Sequence, residues 1–374
     1  MVTAYFLPLT SYKMFHCTNC RRPYPETGVP YKCPTCGGVF DMPELPLFDP
    51  AQVALTQPGI WRYQHTFGLP EDAPVVTLGE GNTPLVWAEA FGKQVAFKLE
   101  SLNPTGSHKD RGVALLASFL HSKGITEAVE DSSGNAGASF AAYAARAGIK
   151  ARVFIPDYAS GPKRNQIAAY GAEIIRILGR RSDVADAVRR AADIGATYAS
   201  HAYLPHLIPG FATAAYEIVE QLGQSPGTVI SPAGHGLLLL GLARGFENLK
   251  RAGVIERVPR LVGVQALSCA PLWAVYNHGQ AGLGWVTEGE TVAEGVRVST
   301  PIRGDAVLTA IQSSLGTLLA VPEENILPGR NQLARRGFYV EPTSALVWDA
   351  LGQIIEQAPE PVVVILTGSG LKSN

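Results

Sequence analysis

Lys109 lies in a turn that opens a helix, Asn103-Pro104-Thr105-Gly106-Ser107-His108-Lys109-Asp110-Arg111-Gly112. An alternating apolar run, Val95 to Leu99, precedes it, and a helical pattern from Val113 to Lys123 follows. An amine at a helix N-terminus feels that end's partial positive charge, which favours the neutral form. The neutral amine is the form that attacks an aldehyde to make a Schiff base. Most lysines in turns are solvated surface charges, so the chemical reading rests on three further segments.

Asp131-Ser132-Ser133-Gly134-Asn135-Ala136-Gly137 joins a strand to a helix. Its small residues let backbone approach a ligand, and its N–H groups suit an anion such as a carboxylate, with Ser133 helping. Asn135 can donate to a phenolate oxygen on a cofactor ring. An ordinary capped turn has the same composition. Ser231-Pro232-Ala233-Gly234-His235-Gly236-Leu237-Leu238 is a second strand-to-helix turn, whose amides suit a phosphate. A dinucleotide site would need a third glycine and an acid after the next strand, which instead ends in Gln265. Thr367, in Thr367-Gly368-Ser369-Gly370-Leu371-Lys372, follows the strand nearest it, where α/β clefts bind ligands. Its hydroxyl can hydrogen-bond a ring nitrogen without protonating it. A plain turn is the alternative there.

Four of the five cysteines fall as Cys17-Thr-Asn-Cys20 and Cys33-Pro-Thr-Cys36. Two C-x-x-C knuckles at this spacing predict a zinc ribbon with a structural ion, and disulfides are the alternative. Cys269 is left over and reads as an inert buried thiol.

The elements that must position these residues follow from composition and periodicity. A chain of 374 residues, 46% hydrophobic and 17% charged, is a well-buried globular protein of two or three domains. A net charge of -1 gives no field for nucleic acid or membrane. The longest leucine run, Leu237–Leu240, is too short to span a bilayer. Met1 to Leu9 lacks a basic start and is broken by Pro8, so the expected location is the cytoplasm. Strands are predicted at 94–100, 126–131, 151–155, 173–178, 227–231, 260–265 and 361–366. Helices are predicted near 112–123, 135–147, 163–170, 183–194, 210–222, 237–252, 305–318, 329–337 and 343–356. This alternation predicts an α/β fold with two three-layer α/β domains and mainly parallel sheets, plus the small ribbon. The expected divisions are a ribbon at 14–42, a large domain at 43–93 and 211–374, and a smaller domain at 94–210.

These segments, with Gly79-Glu80-Gly81-Asn82-Thr83-Pro84-Leu85, resemble the fold type II pyridoxal phosphate (PLP) enzymes, and most of all the threonine synthase branch with an N-terminal zinc ribbon. The resemblance covers nearly the whole chain from Cys17 onward. It implies a homodimer and two cofactors, PLP and a structural Zn2+ held by Cys17, Cys20, Cys33 and Cys36. It implies Lys109 as the lysine bound to the cofactor aldehyde and as the catalytic base at Cα. Asn135 would meet the ring hydroxyl, Ala233, Gly234, His235, Gly236 and Leu237 the phosphate, and Thr367 the pyridine nitrogen. Ser132, Ser133, Gly134, Asn135 and Ala136 would bind the substrate carboxylate. The implied activity is that of a lyase performing elimination or replacement on an amino acid.

Three departures bear on the substrate. His108 stands where the branch has Phe. Leu204, Leu207 and Ala212 stand where it carries Asn, Arg and Lys near a substrate phosphate, and apolar side chains give a dianion nothing. The remaining cationic residues are Lys163, Arg164, Arg180, Arg181, His201, His206 and His235. The loop Thr291 to Val296, with Glu294, is more similar to that of serine/threonine ammonia-lyases. Threonine synthase chemistry on O-phosphohomoserine therefore competes with β-elimination or β-replacement on serine, threonine or a substituted alanine. A catalytically idle PLP-binding protein is a third expectation.

Overall fold

The computed structural model describes residues 14–70, 72–159, 161–179 and 181–373. Its elements run β1 (His16–Cys17), β2 (Phe40–Asp41), β3 (Leu85–Ala90), β4 (Lys93–Lys98), α1 (Lys109–Ser122), β5 (Glu127–Glu130), α2 (Asn135–Ala147), β6 (Lys150–Pro156), α3 (Pro162–Ala169), β7 (Glu173–Ile177) and α4 (Arg181–Asp193). After a break come α5 (Ile208–Leu222), β8 (Thr228–Pro232), α6 (Leu237–Arg251), β9 (Arg260–Ala266), α7 (Pro271–His278), α8 (Gly304–Ser313), β10 (Thr317–Val321), α9 (Glu323–Ala334), α10 (Pro342–Ile354) and β11 (Val362–Ile365).

Short β-branched runs without alternation, such as Val362-Val363-Val364-Ile365, need cover on both faces, which crossover helices supply. The larger sheet has the order β10-β9-β8-β11-β4-β3, parallel except for the antiparallel β3–β4 pair. Helices α5, α6 and α8 cover one face and α10 covers the other. The smaller sheet, β5-β6-β7, is parallel throughout. It lies between α2 and α4, with α1 packed on α2. Both units are three-layered, as the alternation predicts.

One boundary changes. The strand predicted at 94–100 is expected in the smaller unit, but Lys93–Lys98 pairs with β11 and β3 in the larger sheet. The smaller sheet therefore begins after residue 98. The helix predicted at 305–318 stops at Ser313. Leu315 takes a left-handed φ of 53° there, and the chain turns into β10.

The ribbon pairs β1 with β2. It docks through aromatic rings and one buried charge. Tyr31 packs edge-on against Tyr198 and Tyr203, and Phe15 and Tyr24 contact His206. Asp41 pairs with Arg244 at 2.6 Å and Arg303 at 3.3 Å, and Arg303 also donates to the carbonyls of Phe40, Ala202 and Tyr203.

Candidate active site

Lys109 is the first residue of α1. Its turn is sewn to the end of β11. The His108 N–H donates to the Thr367 carbonyl at 2.9 Å, and the Ser369 N–H donates to the Gly106 carbonyl at 3.0 Å. Lys109 and Thr367, far apart in sequence, are thereby neighbours. Among the described residues the Lys109 amine makes no hydrogen bond or ion pair; Phe211 lies beneath it, 5.9 Å from ring centre to Nζ. Burial pushes its pKa down to about 8, against the opposing fields of Glu130 and Glu341. A half-buried amine with no partner among the described residues and a lowered pKa is what Schiff-base formation requires.

Asn135 is the first residue of α2. Its Nδ2 donates to Glu341 Oε1 at 2.7 Å, and Glu341 Oε2 lies 2.9 Å from Lys163 Nζ. Asn135 Oδ1 is buried without a partner, and one of its two amide N–H bonds is spare. In the Ser132–Ala136 turn the Ser132 Oγ accepts from the Gly134 N–H at 3.2 Å. No acceptor among the described residues takes the N–H groups of Ser133, Asn135 or Ala136. A Cβ on Gly137 would sit 1.8 Å from the Ser132 carbonyl oxygen, so the tight entry into α2 requires glycine there.

The Ala233–Gly236 turn joins β8 to α6. Ala233 is anchored, its N–H on the Val264 carbonyl and its own carbonyl accepting from Gln265. Beyond it, the N–H groups of Gly234, His235 and Gly236 donate to nothing among the described residues, and His235 Nδ1 is buried without a partner. Such orphan donors at a helix N-terminus fit a phosphate. Gly236 adopts a φ of 78°, and a Cβ there would meet Val307 at 2.6 Å. Burial holds the His235 imidazole well below its usual range, reinforced by His201 and Lys109.

Thr367 is buried, and its hydroxyl pairs with Ser344 Oγ at 2.8 Å. Two hydroxyls, with no acid or base between them, meet whatever stands at the end of β11. The buried polar atoms of Asn135, His235 and Thr367, the free amides and the unpaired amine together fit a phosphorylated aromatic aldehyde. Ser344 and Glu341 were missed in the sequence, where Glu341-Pro342-Thr343-Ser344 reads only as a helix start. So was Lys372, whose amine donates to the Thr105 carbonyl at 2.7 Å and which burial lowers to about 8.

The cationic residues separate. His206 is buried in the ribbon interface, stacked on Phe119 at 3.6 Å, and burial keeps it far below its usual pKa. Leu204, Leu207 and Ala212 are fully buried in the apolar core. Arg164 donates to the Ala159 carbonyl. Arg180 lies outside the described residues. Arg181, His201, His235 and Lys163 remain on the cleft. Glu294 is exposed in a turn, Glu294–Val296, whose Gly295 carbonyl borders Gly234.

Remote from this cleft, Cys17 and Cys36 have their sulfurs 3.4 Å apart, and Cys20 and Cys33 3.7 Å apart. All four lie within 4.8 Å of one another and none is in a disulfide. Four thiolates at about 2.3 Å from a tetrahedral ion would be about 3.8 Å apart.

Comparison with known proteins shows the family and the fold. Residues 76–368 match the family model described as pyridoxal-phosphate dependent enzyme. A threonine synthase of Methanocaldococcus jannaschii is 32% identical over 95% of this chain and 92% of its own length. A threonine synthase of a Synechocystis species is 36% identical over 83% and 82%. Among solved structures, a threonine deaminase of T.th. superposes with a TM-score of 0.66 at 27% identity, over 77% of this chain and 92% of that one. A maize serine racemase shares the fold, with a TM-score of 0.67 at 22% identity, over 77% and 88%. With its lysine turn, phosphate-ready loop and hydroxyl pair placed around one cleft, the chain belongs to the pyridoxal-phosphate-dependent enzyme family, in the threonine synthase branch.

Proposed function

We propose that this protein is a PLP-dependent lyase that eliminates or replaces a group on an amino acid, turning O-phosphohomoserine into threonine and phosphate, in keeping with its relatives named threonine synthase. The observation that carries the reading is the Lys109 amine, half-buried beside Thr367, without a partner among the described residues and lowered to about 8. The cofactor, once bound, supplies the electron sink. The chain's own residues do the rest. Lys109 would hold the cofactor aldehyde and, as a free amine, would move the Cα proton. The amides of Gly234, His235, Gly236 and Leu237 hold the cofactor phosphate, with Ala233 fixing the turn. Asn135 donates to the ring hydroxyl. Thr367, a neutral hydroxyl backed by Ser344, meets the pyridine nitrogen, which disfavours transamination relative to loss of a substituent. The turn Ser132, Ser133, Gly134, Asn135 and Ala136 receives the substrate carboxylate.

Zn2+ on Cys17, Cys20, Cys33 and Cys36 completes the ribbon as a structural ion, supported by the sulfur spacing. The cytoplasmic location rests on the sequence and the homodimer on the resemblance. No helix among the described residues is long and apolar enough to cross a membrane.

A second reading, ammonia-lyase chemistry on serine or threonine, is favoured by the sealed apolar positions Leu204, Leu207 and Ala212, which offer a phosphate ester no donor. The test is direct. Purified holoenzyme is given O-phosphohomoserine, L-threonine and L-serine, and phosphate, ammonia and 2-oxo acid are measured. Phosphate with threonine supports the first reading; ammonia with 2-oxo acid replaces it by the second. A protein with the visible absorbance of a PLP Schiff base that releases none of these would be a binding protein, and both readings would fall.

A further inference from the structure

β5 ends at Glu130 and is followed at once by a second acid, Asp131, both buried. Two adjacent carboxylates out of water are costly unless each is paired. Asp131 is paired for structure. Its oxygens take Arg181 at 2.7 Å and the Tyr198 hydroxyl at 2.8 Å, and although burial opposes its charge these partners hold it at about 2. Glu130 is different. One oxygen accepts the Asp131 N–H at 2.9 Å, and the other faces His201 Nδ1 in a short hydrogen bond.

The fold brings His201 there by extending the smaller sheet. Val129 and Tyr198 form a parallel bridge, with the Val129 N–H on the Thr197 carbonyl and the Ala199 N–H on the Val129 carbonyl. His201 therefore lands level with the carboxyl end of β5, where α/β clefts do their chemistry. Its ring meets the His235 ring edge-on at 5.8 Å, so it faces the Ala233–Gly236 turn. The same Glu130 is one of the two carboxylates whose field reaches the Lys109 amine. The pair thus adjoins both the amine at Cα and the phosphate turn. His201 Nε2 has no partner among the described residues and is not sealed from the cleft, with the side chain 14% exposed. A metal on Glu130, Asp131 and His201, whose ligand atoms lie within 4.8 Å, is disfavoured, because the Arg181 guanidinium already occupies Asp131.

We propose that His201, oriented by Glu130, is the general acid that protonates the group leaving the substrate. The proposal rests on the elimination or replacement reading. For a β-substituent, Lys109 takes the Cα proton, and the C–H electron pair becomes the new Cα–Cβ double bond. The Cβ–O bond breaks with its pair on oxygen. That oxygen takes the Nε2 proton, and water reprotonates the imidazole. For the γ-phosphate of O-phosphohomoserine a second proton is lost from Cβ to water. Its C–H pair forms the Cβ–Cγ double bond, and the Cγ–O bond breaks with its pair on the oxygen that takes the Nε2 proton. Glu130 is the positioning residue; it fixes the tautomer and supports the imidazolium.

The test separates two steps in holoenzyme. Cα-proton exchange is followed by NMR in deuterated water, and leaving-group release is followed in parallel, with O-phosphohomoserine, L-threonine and L-serine. His201→Asn and His201→Gln should exchange Cα within about 3-fold of wild type yet release the group about 10²–10³-fold more slowly, the size of a lost general acid. Glu130→Gln should show the same split, smaller in size. Both steps falling together in both His201 variants, or neither falling, overturns the general acid. A wild type that releases no group from any of the three overturns the reaction class beneath it.

Discussion

Arg111, two residues beyond Lys109, offers the sharpest test of how the site is held. Its guanidinium is fully buried and donates to Glu100 at 2.7 Å, Glu217 at 2.7 and 2.8 Å, Thr213 at 2.9 Å and Thr83 at 3.1 Å. Lys98, also fully buried, lies 2.7 Å from Glu217, so two cations and two acids form a neutral group. It ties α1 to α5 and to β4. Burial alone would raise both carboxyls; Arg111 reverses this and holds them below their usual range, Glu217 furthest. Arg111→Met keeps the length of the side chain but leaves one negative charge in excess. Breaking a buried pair in this way costs about 3–5 kcal/mol. At about 2.1 cal/mol/K per residue the unfolding entropy of the whole chain is about 0.8 kcal/mol/K, so Tm falls by about 4–6 °C. The assay is thermal unfolding of holoenzyme by circular dichroism at one scan rate. Adding Glu100→Gln restores neutrality and should recover at least about half of the loss. The depressed carboxyls stabilise the native state above their unfolded pKa and lose that contribution as pH falls through the native values. The deficit of Arg111→Met should therefore narrow below about pH 4. A single-variant shift under about 1 °C, or a double variant no better than the single, refutes this account of the cluster.

Other outcomes follow from the site. Lys109→Ala should lose the visible Schiff-base absorbance and turnover together, checked by spectrum and product release. Apoenzyme should capture added PLP with a rate that is half-maximal near pH 8 and levels off above about pH 9, because the folded amine titrates near 8 where a free lysine would titrate near 10.4. Gly236→Ala forces a left-handed φ and a 2.6 Å contact with Val307, so PLP affinity should drop by about 10-fold or more in an absorbance titration. Chelation of the ribbon, or Cys20→Ser, should release one zinc per chain by a colorimetric assay and lower Tm.

The seven strands predicted from β-branched runs all formed within a few residues of their expected ends, because each is a short apolar run closed by a turn. β3 was not legible. Leu85-Val86-Trp87-Ala88-Glu89-Ala90 neither alternates cleanly nor carries a strong β composition, and it is a strand because it is an antiparallel edge on β4. β10 and α7 were hidden similarly, the first beneath an overextended helix. The turns around Lys109, Asn135, Gly234 and Thr367 were legible since small residues, Lys and Asn cluster between a strand and a helix. Glu341, Ser344 and Lys372 were not. Their importance comes from partners more than twenty residues away, and nothing local in Pro342-Thr343-Ser344 announces that Ser344 meets Thr367. Arg111 was likewise not singled out, since its partner Glu217 lies far away in sequence.

The position of β11 has a consequence for the order of assembly. It is the latest strand in the chain, yet it lies between β8 and β4 in the interior of the larger sheet. The turn bearing Lys109 also closes onto Thr367, Gly368 and Ser369. Until residues 362–369 have been synthesised, β4 and β8 each present an unpaired edge, which invites pairing with other chains. A nascent polypeptide that already contains the Ser132–Ala136 and Ala233–Gly236 turns and the lysine is consequently without a complete cleft. Its interior strand edges are then the surfaces for a chaperone to shield.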